Sequence, residues 1–91
     1  MRLHPTARFI EDYERLPEHL QQRADRALSL LLSNFRHSSL RAKKMQGQRD
    51  PGGRDIWEGR VTQAYRFTFV IAGDTYILRH IGPHEDVLRN P

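Results

Sequence analysis

Two rhythms of apolar and polar positions run along the chain, and they change near its middle. Phe9, Ile10, Tyr13 and Leu16 recur at three- and four-residue steps, with Glu11, Asp12 and Glu14 between them. That spacing puts one apolar face on an α-helix and predicts a first helix of about two to three turns from Thr6. Pro17 cannot sit inside a helix but suits the first turn of a new one, and Glu18 beside it favours the positive end of the helix dipole. Leu20, Ala24, Ala27, Leu28, Leu31 and Leu32 keep the helical step, so a second, longer helix is predicted to about Ser33. So short a connection makes the two a helical hairpin with its apolar stripes facing one side. Met1 to His4 fits a short edge strand ending before Pro5.

Residues 34–55 break any long periodicity, with Asn34, a serine pair, Gly47 and the run Arg49-Asp50-Pro51-Gly52-Gly53-Arg54-Asp55. A short strand over 40–46 is predicted, followed by a mobile turn. From Ile56 onwards the β-branched and aromatic residues concentrate, among them Trp57, Val61, Tyr65, Phe67, Phe69, Ile71, Tyr76 and Ile81. Strands over 56–62, 65–72 and 75–81 make an antiparallel meander, with Gly73-Asp74 as a tight hairpin turn. The hairpin of helices must cover one face of this sheet, because neither layer buries its apolar side alone. The prediction is an α+β fold: an N-terminal helical hairpin packed on a twisted antiparallel sheet of three to four strands, one domain over 1–91.

Composition adds constraints. A chain of 91 residues buries roughly 60% of the surface its unfolded form exposes, so its core is single and modest. No cysteine is present, which excludes disulfides, thiolate metal sites and a cysteine nucleophile. With no recognisable signal peptide or long apolar run, a soluble cytoplasmic protein with no membrane association is the expectation. The net charge of +4 is unevenly placed. Residues 1–35 balance five arginines with five acids, whereas residues 36–66 carry eight Lys/Arg against Asp50, Asp55 and Glu58. A local basic excess is the footprint of a polyanion such as nucleic acid, or of an acidic protein; it also fits a solvated loop with no partner.

Period-2 alternation sorts the polar side chains of the strands. Tyr65, Phe67, Phe69 and Ile71 share one face; Arg66, Thr68 and Val70 share the other. Glu58 and Arg60 alternate with Trp57, Gly59 and Val61. A plausible register therefore brings Arg60 and Arg66 onto one polar sheet surface, joined by Arg79 or His80. Convergent cations repel unless an anion answers them, and Glu58 answers only part of that charge. The segment RHIGPHEDVLRN (79–90) leaves three readings open: a metal site, a proton-transfer and phosphate cluster, or a polar loop. Metal is disfavoured because Gly82-Pro83 separates His80 from His84, and no metal or other cofactor is expected. Tyr65, Phe67 and Phe69 suit the core better than a base-stacking platform, Trp57 fits either packing or a groove, and Asp86 suits the cap of a short terminal helix.

The residues IWEGRVTQAYRFTFV (56–70), preceded by LRAKKMQG (40–47) and followed by LRHIGPHEDVLRN (78–90), resemble the RelE/ParE superfamily of type II toxins. The likeness covers most of the chain. It implies a toxin neutralised by an antitoxin, expected to be acidic and partly disordered alone. RelE members cleave messenger RNA on the ribosome without metal; ParE members poison DNA gyrase. On the favoured RelE reading the partners are mRNA and the ribosome, and Arg66 resembles the phosphate-stabilising arginine, with Arg60 the basic residue of the preceding strand. Guanidinium groups suit that task because they stay charged and grip two phosphate oxygens. His84 resembles the loop residue that follows the last strand, and its ionisation near neutrality suits acid–base work. Lys43, Lys44, Arg54, Arg79 and His80 are the candidate RNA or phosphate contacts. One departure stands out: the tyrosine of many RelE-type toxins is Leu88 here, which leaves His84 and Glu85, with His80 a weaker third, as acid–base candidates. The alternatives are a ParE-like gyrase inhibitor and an inactive antitoxin-binding member.

Overall fold

In the computed structural model, which describes residues Met1–Pro91, the two helices form where their periodicity predicts, but they follow a first strand of the sheet rather than opening the fold. Helix α1 spans Ala7–Glu14 and α2 spans Glu18–Ser33. Thr6 caps α1, accepting from the Phe9 N–H at 3.2 Å, and so satisfies one of the donors a helix start leaves open. The Thr6 hydroxyl also donates to the Leu78 carbonyl at 2.9 Å, fixing that cap to the sheet. Pro17 stands just outside α2, at the cap position. Phe9, Leu20, Ala24, Ala27 and Leu31 are the buried residues of the two helices.

The sheet is larger than predicted. It has five strands in the order β1-β5-β4-β3-β2, with β1 at Arg2–Pro5, β2 at Lys43–Arg49, β3 at Asp55–Arg60, β4 at Tyr65–Ala72 and β5 at Thr75–Pro83. The β2-β3-β4-β5 run is the antiparallel meander. Strand β1 pairs parallel to β5, so the sheet is mixed, and the hairpin of helices is the crossover between a first strand and the rest. Pro5 belongs to the edge strand it was expected to terminate, which an edge tolerates because the missing N–H is not needed there. The 40–46 strand is displaced: Ser38–Leu40 form a 3-10 turn and pairing starts at Lys43. Gly47, at φ 74°, lies where the β2-β3 register slips between Lys44 and Arg49, the backbone a bulge requires.

One sheet face packs on the helices. Phe67, Phe69, Tyr76, Leu78 and Ile81 join Phe9, Ala24, Ala27, Leu31, Leu40 and Val61 in a single core. Trp57 stacks on Phe69, with ring centroids 6.2 Å apart, and meets Phe35 edge-on at 5.5 Å, so it packs beside the core. The opposite face is not the open polar surface that alternation suggested. Thr68 and Val70 are buried, and the Thr68 hydroxyl donates to the Pro91 carbonyl of the C-terminal segment at 2.7 Å. Helix α3, His84–Arg89, follows β5 directly and packs on β4 and β5 through the fully buried Val87. Its cap position is Pro83; Asp86 lies in the first turn with Glu85, where both carboxylates meet the positive end of the helix dipole. No helix is long and apolar enough to cross a membrane.

Candidate functional site

The β3-β4 register sets Arg60 directly opposite Arg66 and Glu58 directly opposite Thr68, and paired residues point to the same sheet face. Glu58 is 6% exposed. Its Oε1 lies 3.9 Å from Arg66 Nε and 4.0 Å from Lys43 Nζ. A buried carboxylate needs such partners, since removing one leaves a charge without compensation. Arg66 is held further by its own turn, its Nη1 donating to the carbonyls of Thr62 at 2.6 Å, Gln63 at 2.9 Å and Tyr65 at 3.2 Å. The guanidinium is thus oriented before any ligand arrives. The same turn receives α3: the His84 N–H donates to the Ala64 carbonyl at 2.8 Å. Arg66 and the start of α3 are therefore fixed to one four-residue connection.

The other sequence-predicted residues divide. Glu85 and Leu88 are exposed on α3, which sits beside this turn, and His84 is half-buried at its first residue. Arg79 is half-buried and donates through Nε to the Pro91 carbonyl at 3.3 Å. Lys44 pairs across the strands with Trp57, one position from the Lys43–Glu58 pair, so alternation sends it to the opposite sheet face; it sits 5.7 Å over the Trp57 ring and 3.6 Å from Asp55. Arg54 lies in the β2-β3 turn, bound to Asp50 at 3.7 Å. Six residues of strand, roughly 20 Å at the usual rise, separate it from Arg60. The structure thus gathers Arg66 and Lys43 at Glu58, sets Arg60 opposite Arg66 on the same strand pair, and leaves Lys44 and Arg54 elsewhere.

His80 has a separate environment. It is 7% exposed, its Nδ1 is hydrogen-bonded to the Asp12 carboxylate, and its Nε2 has no protein partner. Asp12 also accepts from the Ile81 N–H at 3.3 Å. Beyond Leu78, where β1 stops pairing with β5, this carboxylate from α1 satisfies the strand edge that β1 leaves open. No group of three His, Asp or Glu side chains is arranged to hold a metal; His80 belongs to β5 and His84 to α3.

Sequence reasoning missed Asp12, which helical periodicity assigned to a solvent face, and the burial of Thr68. Neither carries a local signal, because Asp12 meets its partners 68 and 69 residues away. Also missed was a second cluster of arginines, Arg23, Arg26 and Arg41, in a groove that reaches Arg60.

Comparison with known proteins gives a likeness in structure. No protein-family model matches the chain, and no curated protein matches it in sequence. Among solved structures, the RelB–RelE antitoxin–toxin complex of Methanococcus jannaschii matches with a TM-score of 0.72 at 21% identity, over 97% of this chain and 99% of that one. The DinJ–YafQ toxin–antitoxin complex of E. coli gives 0.74 at 10% identity, over 93% of each chain. The YoeB/ParE toxin of Agrobacterium tumefaciens gives 0.71 at 15%, over 92% of this chain and 99% of that one. The mixed five-stranded sheet with its crossover hairpin is a fold this chain shares almost end to end with these RelE, YafQ and YoeB/ParE toxin structures.

Proposed function

We propose that this chain is the toxin of a type II toxin–antitoxin pair and a metal-independent endoribonuclease that cuts messenger RNA on the ribosome. The observation that carries the reading is Arg66, preoriented by three carbonyls of its turn and opposite Arg60, with the His84 backbone anchored to the same connection. In the proposed reaction the RNA 2′-oxygen attacks its own 3′-phosphorus and the bond to the 5′-oxygen breaks, leaving a 2′,3′-cyclic phosphate and a 5′-hydroxyl. Arg66 and Arg60 neutralise the charge that builds on the phosphoryl oxygens. The His84 imidazole exchanges protons with the attacking or leaving oxygen, with exposed Glu85 as the second group. Leu88, one helical turn beyond His84, has no proton to give. The partners are mRNA, the ribosome and an acidic antitoxin; the structural neighbours from M. jannaschii and E. coli are both seen in complexes with antitoxins.

Induction from a tightly repressed promoter, with protein synthesis and DNA replication followed in parallel, tests the reading. Translation should stop first, and Arg66→Gln and His84→Ala should each abolish the arrest. Leu88, in the place of the RelE-type tyrosine, favours a gyrase-inhibiting toxin as the second reading; loss of replication before translation, with purified protein blocking DNA supercoiling, would select it.

A further inference from the structure

A groove of about 550 Å³ runs between α2, the 3-10 turn and the end of β3, and it is lined by Arg23, Arg26, Arg41 and Arg60. No acid lines it. The molecule's ion pairs all use other cations, so none of these four arginines is paired with a carboxylate. Their placement follows from the chain. Arg23 and Arg26 are three apart on α2 and share a face, Arg41 takes up the left-handed residue that ends the 3-10 turn, and Arg60 is the last residue of β3. Ser38, Ser39, Thr62 and Gln63 add hydroxyl and amide groups.

We infer that this groove is a track for the sugar-phosphate backbone of single-stranded RNA, continuing from the Arg66 site. The inference rests on the ribonuclease reading for its direction, because the groove is lined in part by Thr62 and Gln63, the residues whose carbonyls hold Arg66. An acidic peptide would meet the same charge, but a peptide that docks stably also anchors apolar side chains. The groove offers few places for them: Ala27, Leu40 and Val61 are buried in the protein's own core, and only Leu30 remains partly open. Phosphodiesters need charge and donors alone, and arginine forks supply both.

The test uses the triple variant Arg23→Ala, Arg26→Ala, Arg41→Asn, which keeps Arg60 and Arg66. Alanine is the best helix former and asparagine accepts the left-handed backbone, so thermal unfolding should match the parent. Binding of a labelled 2′-O-methyl RNA oligonucleotide, which cannot be cleaved, is measured from about 50 to about 200 mM salt. Each lost phosphate contact lowers the slope of log K against log salt by about 0.7 for a single strand, so the variant should lose about two in slope. An unchanged slope in a folded variant overturns the inference, as does a parent that binds no RNA. A loss confined to a poly-glutamate peptide overturns it too and assigns the groove to an acidic polypeptide. The ribonuclease reading is judged separately, by whether mRNA cleavage in cell-free translation depends on Arg66.

Discussion

At the scale of single residues, Gly59 shows how tightly the site strand is packed. A methyl group built on Gly59 would lie 2.4 Å from the Phe67 ring, and Phe67 is fully buried. Gly59→Ala should therefore destabilise by about 1–3 kcal/mol, measured by urea unfolding, through displacement of that ring. Arg66 demands care for a related reason. Truncating it to alanine leaves buried Glu58 with Lys43 alone, 4.0 Å away, at a cost below the about 3–5 kcal/mol of a wholly uncompensated buried charge, so loss of toxicity in Arg66→Ala alone would mix function with folding. The pair Arg66→Gln with Glu58→Gln should recover most of that stability and still be inactive; an active, stable double variant would remove Arg66 from the chemistry. Leu88 is 47% exposed, so a larger side chain meets no packing barrier there. Leu88→Tyr should raise the rate of mRNA cleavage in cell-free translation at unchanged stability. The Arg60–Arg66 pairing was legible in the sequence because a short hairpin fixes its own register, whereas the Asp12–His80 tie was not, since nothing near either residue announces the other.

Among the elements, both long helices were readable because each keeps an apolar stripe, while α3 and β1 are too short for periodicity and owe their form to what they pack against. The bulge in β5 was equally hidden. Thr68 pairs with His80 but Phe69 pairs with Leu78, so one extra residue resets the alternation that a uniform strand would have kept. The hairpin of helices carries its own testable tie, the Tyr13 hydroxyl donating to Asp25 at 2.7 Å. That hydrogen bond, with burial and the carboxylate's charge adding to it, raises the Tyr13 pKa above 10.0. A raised phenol stabilises the fold fully below its unfolded pKa and loses that contribution as pH climbs through the folded value. Stability should therefore decline above pH 10, and Tyr13→Phe should remove that part of the alkaline decline while costing about 0.5–1.5 kcal/mol at neutral pH. An alkaline limb identical in the two proteins would show the tie to be energetically silent.

Over the whole molecule, the uneven charge seen along the sequence resolves into two different surfaces. Cations of the β2-β3 hairpin are largely paired with Asp50, Asp55 and Glu58, whereas the uncompensated arginines collect at the far end of β3, between α2 and the Arg66 turn. Linear charge counting located the basic segment but could not separate these, because Arg23 and Arg26 come from the half of the chain whose charges balance. On the proposed reading, an acidic antitoxin and a strand of RNA would compete for such a surface, which would give neutralisation an electrostatic basis. Whether Arg66 directs the proposed metal-free cleavage of messenger RNA is tested by mapping RNA 5′ ends after purified protein is added to a translating extract. Discrete cuts with 5′-hydroxyl ends are expected, unaffected when a strong zinc chelator is added to the protein beforehand and absent with the stable Arg66→Gln, Glu58→Gln protein. Intact messenger in an extract where the protein is folded, or cuts that persist without Arg66, would contradict that role of Arg66.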